Sequence, residues 1–191
     1  MIYAAVNQIT LELNQFLKRS FARSEDMVVV SNLLEQDGSL AAHIENKIVA
    51  FLVNIEKETM AGALPQARAI GGNRSVLGNA PLHLNLYLMF AAYFSGSNYP
   101  EALKSISATM RFFQMNPVLD HQNTPDLDRR IDRLVIDVEN LDIQQLSNLW
   151  GVLSTRYIPS MLYKVRMVTI DADAVKSELH IINQPRPSIN G

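Results

Sequence analysis

The sequence predicts an α+β domain, with helices packed on a mostly antiparallel sheet, followed by a C-terminal arm. Three observations predict it. In some segments apolar residues recur every three or four positions, the spacing of one helix face. In others they alternate at period two, as in a strand. The segments follow in the order α, β, β, β, α, β, α, β, without the regular βαβ repeat of a parallel sheet.

The first helix covers residues 2–19. Ile2, Val6, Ile9, Leu13, Phe16 and Leu17 share a face, and Asn7, Gln8, Glu12, Asn14, Gln15 and Lys18 cover the rest. Lys18 and Arg19 suit the negative end of the helix dipole. Residues 27–31 are a short β-branched strand. In residues 47–56, Val49, Phe51, Val53 and Ile55 face one way and Ala50, Leu52 and Asn54 the other. Apolar residues on both faces predict a central strand covered on both sides. Residues 81–94 carry Leu82, Leu84, Leu86, Leu88 and Phe90 alternating with His83, Asn85, Tyr87 and Met89.

Tyr99-Pro100-Glu101 opens the second helix, because proline is at home in a first turn and glutamate favours the positive end. Leu103, Ile106, Met110 and Phe113 are its expected buried stripe, and Asn116-Pro117 ends it. Residues 115–130 are polar and turn-rich. Leu134, Ile136 and Val138 then alternate with Val135, Asp137 and Glu139 as a strand. Ile143, Leu146, Leu149, Trp150 and Leu153 stripe a third helix, with Asn140 or Asp142 as cap. Pro159 introduces the last strand, residues 160–171. There Tyr163, Val165, Met167 and Thr169 oppose Leu162, Lys164, Arg166 and Val168.

This assigns residues 1–172 to one domain and 173–191 to an extended tail. Within the domain, residues 57–80 are glycine-rich and poor in periodic apolars, a connection long enough to be mobile or functional. In the tail, residues 179–182 suffice for one short added strand.

The chain has 191 residues, enough to bury roughly 70% of its unfolded surface without a disulfide or metal. It carries 17 Lys+Arg against 19 Asp+Glu, so no basic footprint for nucleic acid shows. Zero cysteines exclude disulfides, zinc-thiolate sites, iron–sulfur clusters and thiol catalysis. The N-terminal stretch is amphipathic, unlike a secretory signal. The longest apolar run, residues 86–94, is too short to span a bilayer. The expectation is a protein made and folded in the cytoplasm, without direct membrane insertion.

No motif supports catalysis. Residues 71–78 lack the lysine of a phosphate loop. His43, His83, His121 and His180 have no partner at metal-motif spacing. Asp126, Asp128 and Asp132 among Arg129, Arg130 and Arg133 read as a self-neutralising surface cluster, not a calcium loop. No cofactor or metal is expected. Lys164 and Arg166 are the first candidates for contact with an acidic partner subunit, although ordinary surface charge explains them too. His83, Asn85 and Tyr87 come next, and a buried strand would explain them equally. Leu179 and Ile181 stand out as apolar residues on a polar arm.

Three blocks carry a resemblance. The first is Glu45-Asn46-Lys47-Ile48 with Leu52-Val53-Asn54-Ile55-Glu56. The second is Pro81-Leu82-His83-Leu84-Asn85-Leu86-Tyr87 running into Phe90-Ala91-Ala92, then Ala102-Leu103 and Arg111-Phe112-Phe113-Gln114. The third is Leu149-Trp150 followed by residues 157–167, from Tyr157-Ile158-Pro159-Ser160 to Val165-Arg166-Met167. Over residues 1–171 the sequence resembles the cap, or tube-terminator, family of extracellular-type contractile injection systems. These include the Photorhabdus virulence cassette, the antifeeding prophage and related phage-tail-like particles.

The resemblance implies a tail-terminator-like fold and a structural role, not an enzyme. Its implied partners are further copies of itself in a six-fold ring, the inner tube protein and the sheath protein. Such a ring ends tube and sheath polymerisation at the distal end of a particle that is released or attached to a membrane. Stretch 57–80 and the tail lie outside the matching blocks. The competing reading is a small-molecule or nucleotide-binding enzyme with residues 57–80 as a lid.

Overall fold

Helix α1, Ile2–Phe21, buries Val6, Ile9, Leu13 and Leu17 of its predicted stripe, with Ala5 beside them, while Ile2 and Phe16 are half-buried. Ile9, Leu13 and Leu17 are fully covered, each worth roughly 1.5–3 kcal/mol relative to exposure. The computed structural model describes residues 1–58, 67–69, 74–78, 82–170 and 175–180. The chain forms two units, Met1–Glu58 with His83–Thr169, and Thr59–Leu82 with Ile170–Gly191.

The first unit is built on a six-stranded sheet. Its strands are β1 (Val28–Val30), β2 (Lys47–Lys57), β5 (Leu82–Tyr93), β8 (Ser160–Ile170), β7 (Arg133–Glu139) and β6 (Val118–Asp120), in that spatial order. The pairs β2–β5, β6–β7 and β7–β8 are antiparallel, and β1–β2 is parallel. This is the mostly antiparallel α+β architecture expected from the pattern.

Helices α2 (Tyr99–Met115) and α1 pack through Phe16 and Phe112, with ring centroids 5.4 Å apart. Phe113 carries that packing onto the sheet, 4.9 Å from Phe90 and 4.4 Å from Tyr163. The register places Ile48, Ala50, Leu88, Phe90, Tyr163 and Ile136 on this face. Helix α3 (Ile143–Val152) serves the opposite face. There Trp150 packs with Val49, Phe51, Met89, Ala91 and Leu162, and Leu146, Leu149 and Leu153 lean on the same cluster. Asp142, one of the two expected caps, starts α3 with a capping box: its carboxylate accepts from Gln145 N–H, and Gln145 Oε1 accepts from Asp142 N–H.

Several expectations need correction. The buried stripe of α2 is Ala102, Ser105, Ile106, Thr109, Phe112 and Phe113, while Leu103 and Met110 are exposed. The bulky residues set the expected phase, whereas the small residues Ala102, Ser105 and Thr109 are among those buried. Ile143 is also exposed, lying in the first turn of α3 outside its packed side. In β2 only residues 48–51 are buried on both faces, and the rest of the strand is half-buried or exposed. Strand β6 was not predicted, being three residues inside a turn-rich segment.

The second unit holds a three-stranded antiparallel sheet, ordered β3 (Ala67–Ala69), β4 (Arg74–Gly78), β9 (Val175–His180). Ser75 pairs with Leu179 and Arg74 with His180. Two of these strands lie inside the stretch 57–80, read as a long connection either mobile or functional. They are too short to read alone, and β4 finds its partner only about a hundred residues later. Of the tail strand expected at 179–182, Leu179 and His180 lie in β9. Ile181 lies outside the described residues.

Candidate assembly surface

Period-two alternation places His83, Asn85, Tyr87 and Met89 of β5 on one face. Leu162, Lys164 and Arg166 of β8 share that face, since Leu162 joins Met89 in one cluster and Lys164 reaches Tyr87. The helix α3 cluster covers Met89 and Leu162. Further along the same strands the side chains turn polar. Sequence reasoning therefore singled out five residues that the fold brings together on two neighbouring strands: His83, Asn85, Tyr87, Lys164 and Arg166.

Their contacts bind four strands. Tyr87 donates its hydroxyl to Glu56 Oε2 of β2 at 2.8 Å. The Lys164 ammonium lies 5.4 Å from the centre of the Tyr87 ring. Arg166 forms an ion pair with Asp137 of β7, both about half exposed. Asn85 is buried and donates to Glu58 Oε2 at 2.9 Å, while its Oδ1 is buried without a hydrogen-bond partner among the described residues. His83 accepts from Glu58 N–H through its carbonyl at 2.9 Å. Leu179 belongs to the second unit, in β9 opposite Ser75.

The electrostatics favour recognition over chemistry. Partial burial, then the bond to Glu56, pushes the Tyr87 hydroxyl above its ordinary value. Its contact with Tyr87 raises Lys164 in turn. At neutral pH Tyr87 is a neutral donor and Lys164 a cation, so neither supplies a base or nucleophile. The arrangement is a rigid mosaic of both signs: Glu56, Lys164, Asp137 and Arg166. Glu56 and Asp137 were not singled out from sequence. Only register makes them relevant, since Asp137 stands opposite Lys164 and Glu56 opposite Asn85.

The other motifs resolve plainly. Asp128 is engaged by the Arg130 guanidinium through two hydrogen bonds at 3.0 and 2.7 Å and by Arg130 N–H at 3.0 Å, and Arg130 holds its carboxyl well below the usual range. Among the described residues no group of three or more His, Asp or Glu is placed to hold a metal. No described helix is long and apolar enough to cross a membrane.

Among the solved structures that the fold matches are two of low sequence identity. One is the sheath/tube terminator of an extracellular contractile injection system, PVC, in its extended state. It is 12% identical with a TM-score of 0.62, over 95% of this chain and 63% of that one. The other is the tube-terminating cap of the anti-feeding prophage, 16% identical with a TM-score of 0.65, over 96% of this chain and 59% of that one. This chain thus spans about three fifths of the length of either relative. No curated protein sequence matches it. The sequence matches the Pvc16 N-terminal domain family over residues 5–184. With nearly the whole chain inside that match, the protein belongs to the Pvc16 N-terminal domain family.

Proposed function

We propose that this chain is a structural cap that ends polymerisation of the inner tube and sheath in a contractile injection system. The observation that carries the reading is the family match over residues 5–184, joined to structural likeness with two terminators. In this reading the chain assembles as a six-fold ring on the distal end of the tube and touches the last sheath layer. It is not an enzyme. Assembly takes place in the bacterial cytoplasm, and the particle is then released or attached to a membrane.

The mosaic of Glu56, Tyr87, Lys164, Asp137 and Arg166 supports a protein-facing role, because its charges are held by cross-strand contacts and present a fixed pattern. Closed rings use heterologous interfaces, in which one patch meets a different patch on the next subunit. Lys164, Arg166, His83, Asn85 and Tyr87 are proposed as one such patch, and Leu179 with Ile181 as part of a contact with sheath or a neighbouring copy. The lid-enzyme reading gains nothing from the structure, since part of stretch 57–80 forms β3 and β4 in a small sheet.

Electron microscopy of particles made without the protein tests the proposal. The expected outcome is over-long, irregular or unassembled tubes. Particles of normal length and integrity would overturn it. Truncation after Asp173 tests the tail separately, with weakened attachment expected and unchanged attachment counting against that contact.

A further inference from the structure

Both edges of the six-stranded sheet are occupied by an asparagine side chain. On β1, Met27 C=O accepts from Ile48 N–H of β2, and Ser31 N–H donates to Ala50 C=O. Alternation then turns the N–H and C=O of Val28 outward. Asn14 of α1, itself buried, meets them there. Its Oδ1 accepts from Met27 N–H at 2.8 Å and Val28 N–H at 3.3 Å, and its Nδ2 donates to Val28 C=O at 3.3 Å. The side-chain amide stands where the peptide of a next strand would stand.

The far edge repeats the device by different means. Pro117 C=O accepts from Ile136 N–H of β7, so Val118 and Asp120 of β6 point away from the sheet. Asn123 Nδ2 donates to Val118 C=O at 2.8 Å, and its Oδ1 accepts from Asp120 N–H at 3.0 Å. Asp120 C=O is also used, accepting from Thr124 N–H at 2.8 Å. Asp120 Oδ1 in turn accepts from the N–H groups of Gln122 and Asn123, holding the turn that brings Asn123 back. Each edge strand is only three residues long. Where an asparagine engages them, the outward donors and acceptors offer no template to another chain, and so short a strand leaves few others.

We infer that Asn14 and Asn123 are edge seals, which stop the six-stranded sheet from taking a further strand from a second copy of this chain. The first unit then meets other molecules through its faces and helices, not by extending its sheet. The inference stands on the hydrogen bonds alone and does not depend on the capping role.

Asn123 is exposed, so Asn123→Ala opens one edge, and among the described residues the one buried side chain that loses a partner is Thr124, whose hydroxyl donates to Asn123 Oδ1 at 2.9 Å. Hydrogen exchange and sedimentation velocity read the result. Asp120 N–H is expected to exchange about tenfold faster, the loss of one hydrogen bond, with β7 and β8 amides unchanged. The variant is expected to form concentration-dependent species beyond those of the unaltered protein. Adding Val118→Lys, a charge on the edge strand, is expected to remove them. Unchanged Asp120 exchange would overturn the inference, as would fast exchange with unaltered sedimentation. Should Asn123→Ala not fold, Asn123→Asp keeps the acceptor for Asp120 and loses the donor to Val118. It is read by the same two measurements: new species support the seal, and unaltered sedimentation overturns it.

Discussion

Lys164 holds its ammonium 5.4 Å from the centre of the Tyr87 ring, across two adjacent strands. Tyr87 in turn donates to Glu56 on the next strand over. An exposed cation over a ring contributes about 0.5–1 kcal/mol, and an exposed ion pair often less. The network therefore does little for stability. What it does is hold two cations and two carboxylates in place on one face of the sheet.

That separation of roles gives the first prediction. Replacing both cations, Lys164→Glu with Arg166→Glu, is expected to leave the protein folded, with the melting temperature lowered by no more than a few degrees. Tube capping is expected to fail, seen as irregular particle lengths by electron microscopy. Normal lengths with a folded double variant would remove these residues from the interface.

Much of the first unit was legible because its long elements carry strong periodic signals. The five alternating residues of β5 and the α1 stripe are of this kind. What stayed hidden depends on non-local pairing. Strand β4 needs β9 about a hundred residues away, and β6 is three residues whose partner defines it. Asn14 looked like one more polar residue on the solvent side of α1. In the fold it is buried, because the edge of β1 presents unpaired backbone groups at that point. The interface candidates were readable as a shared face, but Glu56 and Asp137 entered only through register.

Trp150 is the single tryptophan of the chain and is almost fully buried in the cluster under α3. Trp150→Ala is expected to cost about 3–5 kcal/mol, through lost burial and the cavity left behind. Chemical denaturation followed by circular dichroism measures it. In the unaltered protein, tryptophan emission should start blue-shifted and move red in one step with the same midpoint. A cost below about 1 kcal/mol would mean that α3 does not pack here as described.

The Asp142 cap makes a separable claim. Asp142→Ala removes the acceptor for Gln145 N–H and breaks the reciprocal box, with an expected loss of about 0.5–2 kcal/mol. Asp142→Asn keeps an acceptor and should recover most of that loss. Equal damage from both substitutions would point to charge at the helix end as the cause.

Tyr163 supplies the sharpest test of the core. It is buried between Phe90 and Phe113, at 5.7 and 4.4 Å, and its hydroxyl has no hydrogen-bond partner among the described residues. A buried hydroxyl without a partner costs stability, so Tyr163→Phe is expected to hold or raise stability by up to about 1 kcal/mol at neutral pH. Burial pushes this hydroxyl up to about 12, whereas an unfolded tyrosine ionises near 10. Folding thus favours the protonated form. That contribution is fully present below about pH 10 and is lost as pH rises through 12. Melting temperatures from pH 7 to 12 should therefore fall less steeply for Tyr163→Phe than for the unaltered protein, with the difference confined to the alkaline limb. A clear loss of stability at neutral pH would show that the hydroxyl has a partner in solution, such as a bound water.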